Sequence, residues 1–146
     1  MTYFAGKLVQ LRPEGMDLDR REQAMSKPGS NASVVRAMFD AFCGDRRDEM
    51  EKLLADGFTF TSPYDDAIGR EAYFKRCWPN NKRVADFQIE RVTEDSDGAF
   101  VTYLFTTTEG MAFRNTEYMT IANGQVTKVD VYFGANYRDG KFVAKT

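Results

Sequence analysis

The sequence contains no histidine among its 146 residues. Catalysis by a Ser-His-Asp triad or a Cys-His pair is therefore excluded, and so are haem ligation through histidine and every zinc site that needs imidazole. Any proton transfer near neutral pH has to use a carboxyl, Tyr, Lys or Cys group whose pKa is shifted by its surroundings. We expect neither a cofactor nor a bound metal ion.

Cysteine, long apolar segments and excess charge are also scarce. Cys43 and Cys77 are too few for a disulfide scaffold, and both fall in helical patterns, so we expect reduced core cysteines. No apolar run approaches the roughly 20 residues that a membrane-spanning helix needs, and residues 1–11 lack the pattern of a secretory signal. The 20 basic and 22 acidic residues are spread along the chain. These features predict a cytoplasmic protein with no nucleic-acid partner and no membrane partner.

The length of the chain suits one domain, which should bury roughly 70% of the surface that the unfolded chain exposes. Residues 1–31 are rich in charge and contain Pro13, Gly15 and Pro28, without sustained periodicity. We predict a flexible or loosely docked N-terminal arm over residues 1–31 and a single domain over residues 32–146.

Two helical patterns open the predicted domain. Ser33 offers an N-cap for the first helix, which Gly44 ends. Its apolar positions recur at three- and four-residue spacing: Val34, Val35, Met38, Phe39, Ala41 and Phe42. Asp45 is placed to cap a second, shorter helix that ends at Gly57.

A third helix is predicted from about Ile68 until Pro79 stops it, and residues 58–61 before it alternate as a short strand. Four longer strands follow, near Val84–Val92, Ala99–Thr108, Ala112–Ala122 and Gln125–Phe133. Short connections rich in Gly and Asx join these four strands, so they should form an antiparallel meander. Three helices followed by strands predict an α+β fold.

The order of several short segments resembles the nuclear transport factor 2-like superfamily, and within it the SnoaL-like polyketide cyclase and ketosteroid isomerase group. These segments are Phe42-Cys43-Gly44-Asp45, the run from Leu54 to Phe60, Ser62-Pro63, the run from Gly69 to Phe74, Asn123-Gly124-Gln125-Val126 and the run from Val129 to Gly134. The resemblance covers about residues 33–134. It implies a cone-shaped, bent antiparallel sheet packed on three N-terminal helices, the cystatin-like architecture, with an internal apolar pocket.

Three positions depart from the enzyme patterns of that group, and a fourth keeps a carboxyl group. The general base of the isomerases corresponds to Ser62, and their oxyanion-donating tyrosine falls near Ala37 or Met38. The late-strand Asp of the cyclases corresponds to Phe133, and their His is missing. The second oxyanion donor of the isomerases, a protonated Asp that serves as a worked case of pKa tuning, corresponds to Glu117, where a carboxyl group remains.

Strand alternation also singles out Glu117. One face of Ala112–Ala122 reads Phe113, Asn115, Glu117, Met119 and Ile121, and the other reads Arg114, Thr116, Tyr118 and Thr120. The acid therefore lies on the more apolar face. If it is half-buried in the cone, desolvation should raise its pKa unless a partner compensates. Local hydrogen bonding without a chemical role remains the alternative.

The turn at Asn123-Gly124 decides what Glu117 faces. A plain two-residue turn places Glu117 opposite Asp130 and opposes like charges. A three-residue loop with Gly124 in the left-handed bulge position places Glu117 opposite Val129. We predict the second register, because a one-residue slip moves a whole apolar set into water.

Further pocket residues are predicted with Glu117, which is the candidate catalytic residue. The candidate substrate-binding residues are Tyr64, Asp65, Tyr73, Trp78, Tyr103, Asn115 and Phe133. Asp65 and Asp66 are better explained as solvated turn residues that cap the next helix, and Tyr73 and Trp78 as core aromatics that could also present a polar edge to a ligand. Tyr103 should point into the pocket only if the Glu109-Gly110 loop also carries a bulge.

Three functions remain open at this point. The resemblance implies an isomerase-type or cyclase-type enzyme acting on a small apolar carbonyl or polycyclic compound. The missing base at Ser62 favours a carrier of a small apolar ligand. A protein-interaction module is the third hypothesis. The resemblance also implies a homodimer through the convex face of the sheet, which carries Asp130 and Tyr132.

Overall fold

Three helices and one seven-stranded sheet make up the computed structural model, which describes residues 29–144. The helices are α1 (Asn31–Cys43), α2 (Arg47–Leu53) and α3 (Arg70–Arg76), with a 3₁₀ segment at Trp78–Arg83. The strands are β1 (Leu54–Ser62), β2 (Asp65–Ile68), β3 (Val84–Glu94), β4 (Gly98–Thr107), β5 (Ala112–Ala122), β6 (Gln125–Arg138) and β7 (Lys141–Val143). The predicted α+β class is confirmed.

The predicted N-terminal arm lies outside the described residues except for its last three positions. Within these, Ser30 caps α1, and its hydroxyl accepts a hydrogen bond of 3.1 Å from the backbone N–H of Ser33. The cap is therefore Ser30 rather than the predicted Ser33, and the helix begins at Asn31, the last residue of the predicted arm. Gly44 ends it as predicted.

Helix α2 is shorter than predicted at both ends. Asp45 does not cap it, because its backbone takes a left-handed conformation and its carboxylate binds the side chains of Asn81 and Lys82 instead. The helix ends at Leu53 rather than at Gly57, since Leu54 already pairs with β6. The strand that follows is therefore longer than the predicted segment at residues 58–61.

Helix α3 starts at Arg70, so the predicted start at Ile68 is wrong. Ile68 belongs to β2 and pairs with Phe60 of β1. The α-helix ends at Arg76, and the segment around Pro79 continues as the 3₁₀ turn that leads into β3. Pairing with β1 overrides the helical pattern at this point.

The sheet runs in the order β2-β1-β6-β5-β4-β3, with β7 paired to β6. Strands β3 to β6 form the predicted antiparallel meander. The sheet is nevertheless mixed, because β1 lies parallel to β6. The other strand pairings of the described residues are antiparallel, as predicted.

The β4–β5 hairpin determines whether Tyr103 points into the pocket, which the sequence left open. Thr106 pairs with Ala112, and Gly110 takes the left-handed conformation in the connecting loop. The backbone N–H of Thr107 donates to the carbonyl of Met111 at 2.7 Å. This register places Tyr103 opposite Asn115 and turns both side chains toward the helices.

The β5–β6 hairpin has a different register from the predicted one. Asn123 and Gly124 form a two-residue turn with both φ angles positive, and Ala122 pairs with Gln125. Thr127 is an extra residue on β6, since Ile121 pairs with Val126 but Thr120 pairs with Lys128. Beyond this bulge Glu117 lies opposite Val131 rather than Val129.

Despite the bulge, the side chains of β5 and β6 point to the sides of the sheet that were predicted for them. Met119 and Val129 pair on the inner face, where both are fully buried. Tyr132 lies on the outer face and is 59% exposed. The prediction that Glu117 shares a face with the apolar residues of β6 is therefore correct, although the predicted loop is wrong.

One apolar core joins the helices to the inner face of the sheet. Its fully buried large side chains are Phe58, Met50, Leu54, Met119, Val35, Val101, Val126 and Val129. In the described part of the chain no helix combines the length and the apolar character needed to cross a membrane.

Candidate functional site

A cavity of about 590 Å³ lies between the helices and the inner face of the sheet. Aromatic side chains from several elements build much of its wall: Phe39, Phe42, Phe60, Phe87, Phe105 and Phe113. Most belong to the core or pack against it. The cavity is thus largely apolar, and the few polar groups on its wall define what it can bind.

Seven of the eight predicted site residues line this cavity. They are Tyr64, Asp65, Tyr73, Tyr103, Asn115, Glu117 and Phe133. Trp78 does not line it, because its ring packs behind the wall against Phe42 and Phe74, with ring centres 5.8 and 5.7 Å apart. The reading of Trp78 as a core aromatic therefore fits its position, and a role of the other seven in binding stays a prediction.

Glu117 belongs to a chain of three buried polar side chains, which also contains Tyr103 and Asn115. The Tyr103 hydroxyl donates to Oε1 of Glu117 at 2.7 Å, and Nδ2 of Asn115 donates to the Tyr103 oxygen at 3.2 Å. The backbone N–H of Gly134 in turn donates to Oδ1 of Asn115 at 3.1 Å. Adjacent strands β4, β5 and β6 supply these groups, so the sheet itself fixes the orientation of the carboxyl.

The other carboxyl oxygen of Glu117 has no hydrogen-bond partner among residues 29–144. The side chain lines the cavity and the residue is only 7% exposed. Oε2 is therefore the atom that a bound molecule can reach with a hydrogen bond.

Burial raises the pKa of Glu117 from its ordinary value of 4.5 to about 7, although the hydrogen bond from Tyr103 acts in the opposite direction. The acid and its conjugate base are then both populated near neutral pH. Burial and the neighbouring Glu117 raise the pKa of Tyr103 well above its ordinary value, so this phenol remains a donor. The pair combines a titrating acid with a fixed hydrogen-bond donor.

Tyr73 lies on the same wall with its ring against Phe58, Phe60 and Phe74. Burial, followed by the negative charge of Glu117, raises its pKa. The phenol therefore stays protonated, and its ring position is set by core packing.

A second acid lines the cavity near its mouth. The side chain of Asp65 is only 9% exposed, and its Oδ1 forms an ion pair of 2.7 Å with Nη2 of Arg76. Its Oδ2 accepts a hydrogen bond of 3.3 Å from the Ser62 hydroxyl. Asp65 is therefore not the solvated turn residue that the alternative interpretation expects, whereas Asp66 is exposed.

Cys77 is a free thiol that lines the cavity beside Asp65. Burial, together with the charge of Asp65, raises its pKa to about 12. Such a thiol is almost wholly protonated at neutral pH and is a poor nucleophile.

The sequence does not single out the arginines of the site. Arg76 and Arg83 both line the cavity, at the ends of α3 and of the 3₁₀ segment. In a helical sequence pattern, an arginine that lines a cavity cannot be distinguished from one on the solvent-exposed face of the helix. No group of three Cys, Asp or Glu side chains in the described part of the chain is placed to hold a metal ion.

The α+β fold of this chain is shared by solved structures that are described as nuclear transport factor 2-like. The family model of the SnoaL-like domain matches residues 35–143, and the chain belongs to that family. No curated protein matches it in sequence.

Several solved structures share the fold at low sequence identity. A Jannaschia sp. CCS1 protein assigned as a SnoaL-like polyketide cyclase has a TM-score of 0.63 and 19% identity, with 70% of this chain and 84% of that chain covered. A Kribbella flavida protein assigned as a ketosteroid isomerase has a TM-score of 0.61 and 19% identity, with 74% and 80% covered. A Mycobacterium tuberculosis epoxide hydrolase has a TM-score of 0.58 and 18% identity, with 69% and 80% covered. At these identities the likeness is one of fold.

Proposed function

We propose that this protein is an isomerase-type or cyclase-type enzyme that acts on a small apolar carbonyl or polycyclic compound, with Glu117 as its acid. The observation that carries the proposal is a buried carboxyl that faces a largely apolar cavity and has one oxygen without a hydrogen-bond partner among residues 29–144. Burial raises the pKa of this carboxyl to about 7. An acid with a pKa near the working pH is efficient in proton transfer. Neighbours of the same fold are described as cyclase, isomerase and epoxide hydrolase.

Protonated Glu117 would donate from Oε2 to the carbonyl oxygen of the bound compound. As a base from solvent removes a proton from the α-carbon, negative charge develops on the carbonyl oxygen, and the proton on Oε2 passes to that oxygen. This step leaves the enol and the Glu117 carboxylate, which regains a proton from solvent when the enol is released. The hydrogen bond from Tyr103 to Oε1 stabilises this carboxylate, and Asn115 keeps the phenol oxygen in place. Both interactions are stronger against the largely apolar wall of the cavity than they would be in water.

Ser62 supports a second candidate, a carrier that holds the compound unchanged. Its hydroxyl lines the cavity and bonds to Asp65, but a hydroxyl is not a base near neutral pH. A carrier needs the cavity and not the acid. The two candidates therefore differ in what the loss of the Glu117 carboxyl does.

Deuterium exchange at the α-carbon of 2-tetralone in D₂O, followed by NMR, tests the enzyme proposal with a defined probe. Acid activation of the carbonyl accelerates enolisation, so the wild type should speed exchange, and its rate should fall as pH rises through about 7. Glu117→Gln keeps the shape and the acceptor for Tyr103 but removes the proton, and it should abolish the acceleration.

Glu94→Gln is the matched control, because this acid binds the N-terminus of α1 and does not line the cavity. Exchange that is equal in the wild type and in Glu117→Gln contradicts the enzyme proposal. Thermal stabilisation by 2-tetralone that is equal in both proteins, without exchange, supports the carrier instead.

We further propose that the protein is a cytoplasmic homodimer that pairs through the outer face of the sheet. Phe100 and Tyr132 are 47% and 59% exposed on that face, and the ring of Phe100 packs beside that of Tyr118, so the face carries aromatic surface that a second copy could cover. Both cysteines are free thiols, as is typical of a reducing compartment.

A further inference from the structure

The charged groups of the cavity are divided between its floor and its mouth. Among the described residues that line it, five carry charge: Asp65, Arg76, Arg83, Glu109 and Glu117. Glu117 is buried, whereas the side chains of Arg76 and Arg83 are each 53% exposed. The cations of the cavity wall therefore lie where it meets solvent, and the titrating acid lies inside.

Arg76 is held in place by a buried partner. Nη2 contacts Oδ1 of Asp65 at 2.7 Å, and Asp65 is fixed in turn by Ser62. A guanidinium carries five N–H donors. In the described part of the chain this ion pair occupies one edge of the group, so the remaining donors are available to a ligand at the mouth.

Arg83 has a weaker partner. Its Nη2 lies 3.5 Å from Oε2 of Glu109, and the two side chains are 53% and 68% exposed. Exposed pairs of this length contribute little to stability. A ligand carboxylate can therefore replace Glu109 at small cost, and guanidinium groups bind carboxylates with two parallel hydrogen bonds.

Glu117 determines which end of a ligand enters first. An anionic group at the floor would lose its hydration and would be repelled by the ionised fraction of Glu117. Phe39, Phe87 and Phe105 line the space with apolar surface. We propose that the site takes an amphiphilic acid, whose carboxylate stays at the mouth on Arg76 and Arg83 while its apolar, uncharged end lies against Glu117. The inference rests on the proposed function only for the reaction at that inner end.

Calorimetric titration with matched acid and amide probes tests this inference. The pairs are 4-phenylbutanoate with 4-phenylbutanamide, 1-naphthaleneacetate with 1-naphthaleneacetamide, and octanoate with octanamide. At pH 7 each acid should bind the wild type about tenfold more tightly than its amide, which corresponds to about 1.4 kcal/mol. Arg83→Gln should reduce this preference, and the double change Arg76→Gln with Arg83→Gln should remove it.

Arg114→Gln is the charge-matched control, because this arginine pairs with Glu90 on the outer face. It should leave the preference unchanged. Since Arg76→Gln leaves buried Asp65 without its cation and could impair folding, Arg76→Lys in the Arg83→Gln background provides a second comparison and should restore part of the preference.

Three results would each overturn the inference. The first is equal affinity for acid and amide in all three pairs, the second is a preference that survives the double change, and the third is no binding of any probe at millimolar concentration. A preference for the acids in a protein that does not accelerate exchange on 2-tetralone would support it and contradict only the proposed enzyme activity. The two proposals thus fail separately.

Discussion

The Tyr103 hydroxyl and Oε1 of Glu117 lie 2.7 Å apart on adjacent strands, and the two residues are 5% and 7% exposed. The contact joins a permanent donor to an acid that titrates near neutral pH. Stability, proton affinity and chemistry of the site are therefore coupled through one hydrogen bond.

Stability should fall as pH rises from about 4.5 to 7. The folded protein holds the Glu117 proton more tightly than the unfolded chain, whose carboxyl has the ordinary pKa of 4.5. The stabilising effect is complete below the unfolded pKa and is lost as pH passes the folded value. The full shift corresponds to about 3 kcal/mol. Urea denaturation at pH 5 and pH 8 measures it.

Glu117→Gln should remove this component of the pH dependence. The variant should match the wild type near pH 5 and exceed its free energy of unfolding at pH 8, because the amide has no charge to bury. A variant that is less stable than the wild type at pH 8 would contradict a raised pKa.

Tyr103→Phe should raise the pKa of Glu117 further, since the hydrogen bond from Tyr103 is the interaction that lowers it. The change also leaves Nδ2 of Asn115 without its acceptor, so we expect a loss of about 1–2 kcal/mol in stability. Carboxyl ¹³C titration by NMR reports the pKa. Tyr118→Phe, which loses an exposed contact to Asp95, is the control and should leave the Glu117 titration unchanged.

Gly134→Ala should be strongly destabilising. A Cβ at this position would lie 1.8 Å from the backbone oxygen of Arg114, so the strands would have to separate where Gly134 also donates to Asn115. Overpacking of this kind costs about 3 kcal/mol. Gly57→Ala is the matched change, because nothing lies within 4 Å of its added Cβ. Equal midpoints for the two variants in urea would contradict the close approach.

Cys77 should react slowly with iodoacetamide. With a pKa of about 12 against an ordinary value of 9.0, its thiolate fraction at pH 8 is lower by roughly a thousandfold. Partial desolvation and the charge of Asp40 raise the pKa of Cys43 only to about 11, and this residue is exposed at the surface rather than in the core as predicted, so Cys43 should react first. Peptide mass spectrometry distinguishes the two sites, and modification of Cys77 before Cys43 would contradict the assigned environments.

Tyr132→Asp should convert the proposed homodimer into monomers. A charge placed in the centre of a paired outer face is desolvated without a partner, whereas on a free surface it costs little. Native mass spectrometry gives the subunit number. Tyr64→Asp changes an equally exposed aromatic residue at the cavity mouth and should leave the assembly intact. A wild-type monomer would contradict the homodimer outright.

Strand periodicity predicted the inner position of Glu117 correctly, because the alternation of side chains depends only on whether the register shift is odd or even. The predicted loop and the observed turn with its bulge at Thr127 differ by two residues and therefore place the same faces together. The actual partner, Val131, was not predicted, because the register depends on the extra residue at Thr127 as well as on the turn.

Long-range contacts account for the other differences between prediction and structure. Ile68 joins a strand because β1 lies beside it, and Asp45 turns toward Asn81, which is 36 positions away. The same limitation hid Arg76, whose role at the cavity depends on Asp65 of another element. Tyr103 could be assigned only conditionally, because its orientation depends on a loop bulge.

The extra residue at Thr127 makes the last hairpin sensitive to insertions and deletions in a defined way. Removing one residue between Gly124 and Lys128 would turn Val129 and Val131 outward and bring Asp130 beneath the helices. Removing or adding two residues would leave each side chain of β6 on its present side of the sheet. Length variation in this turn among functional descendants of the chain should accordingly occur in steps of two.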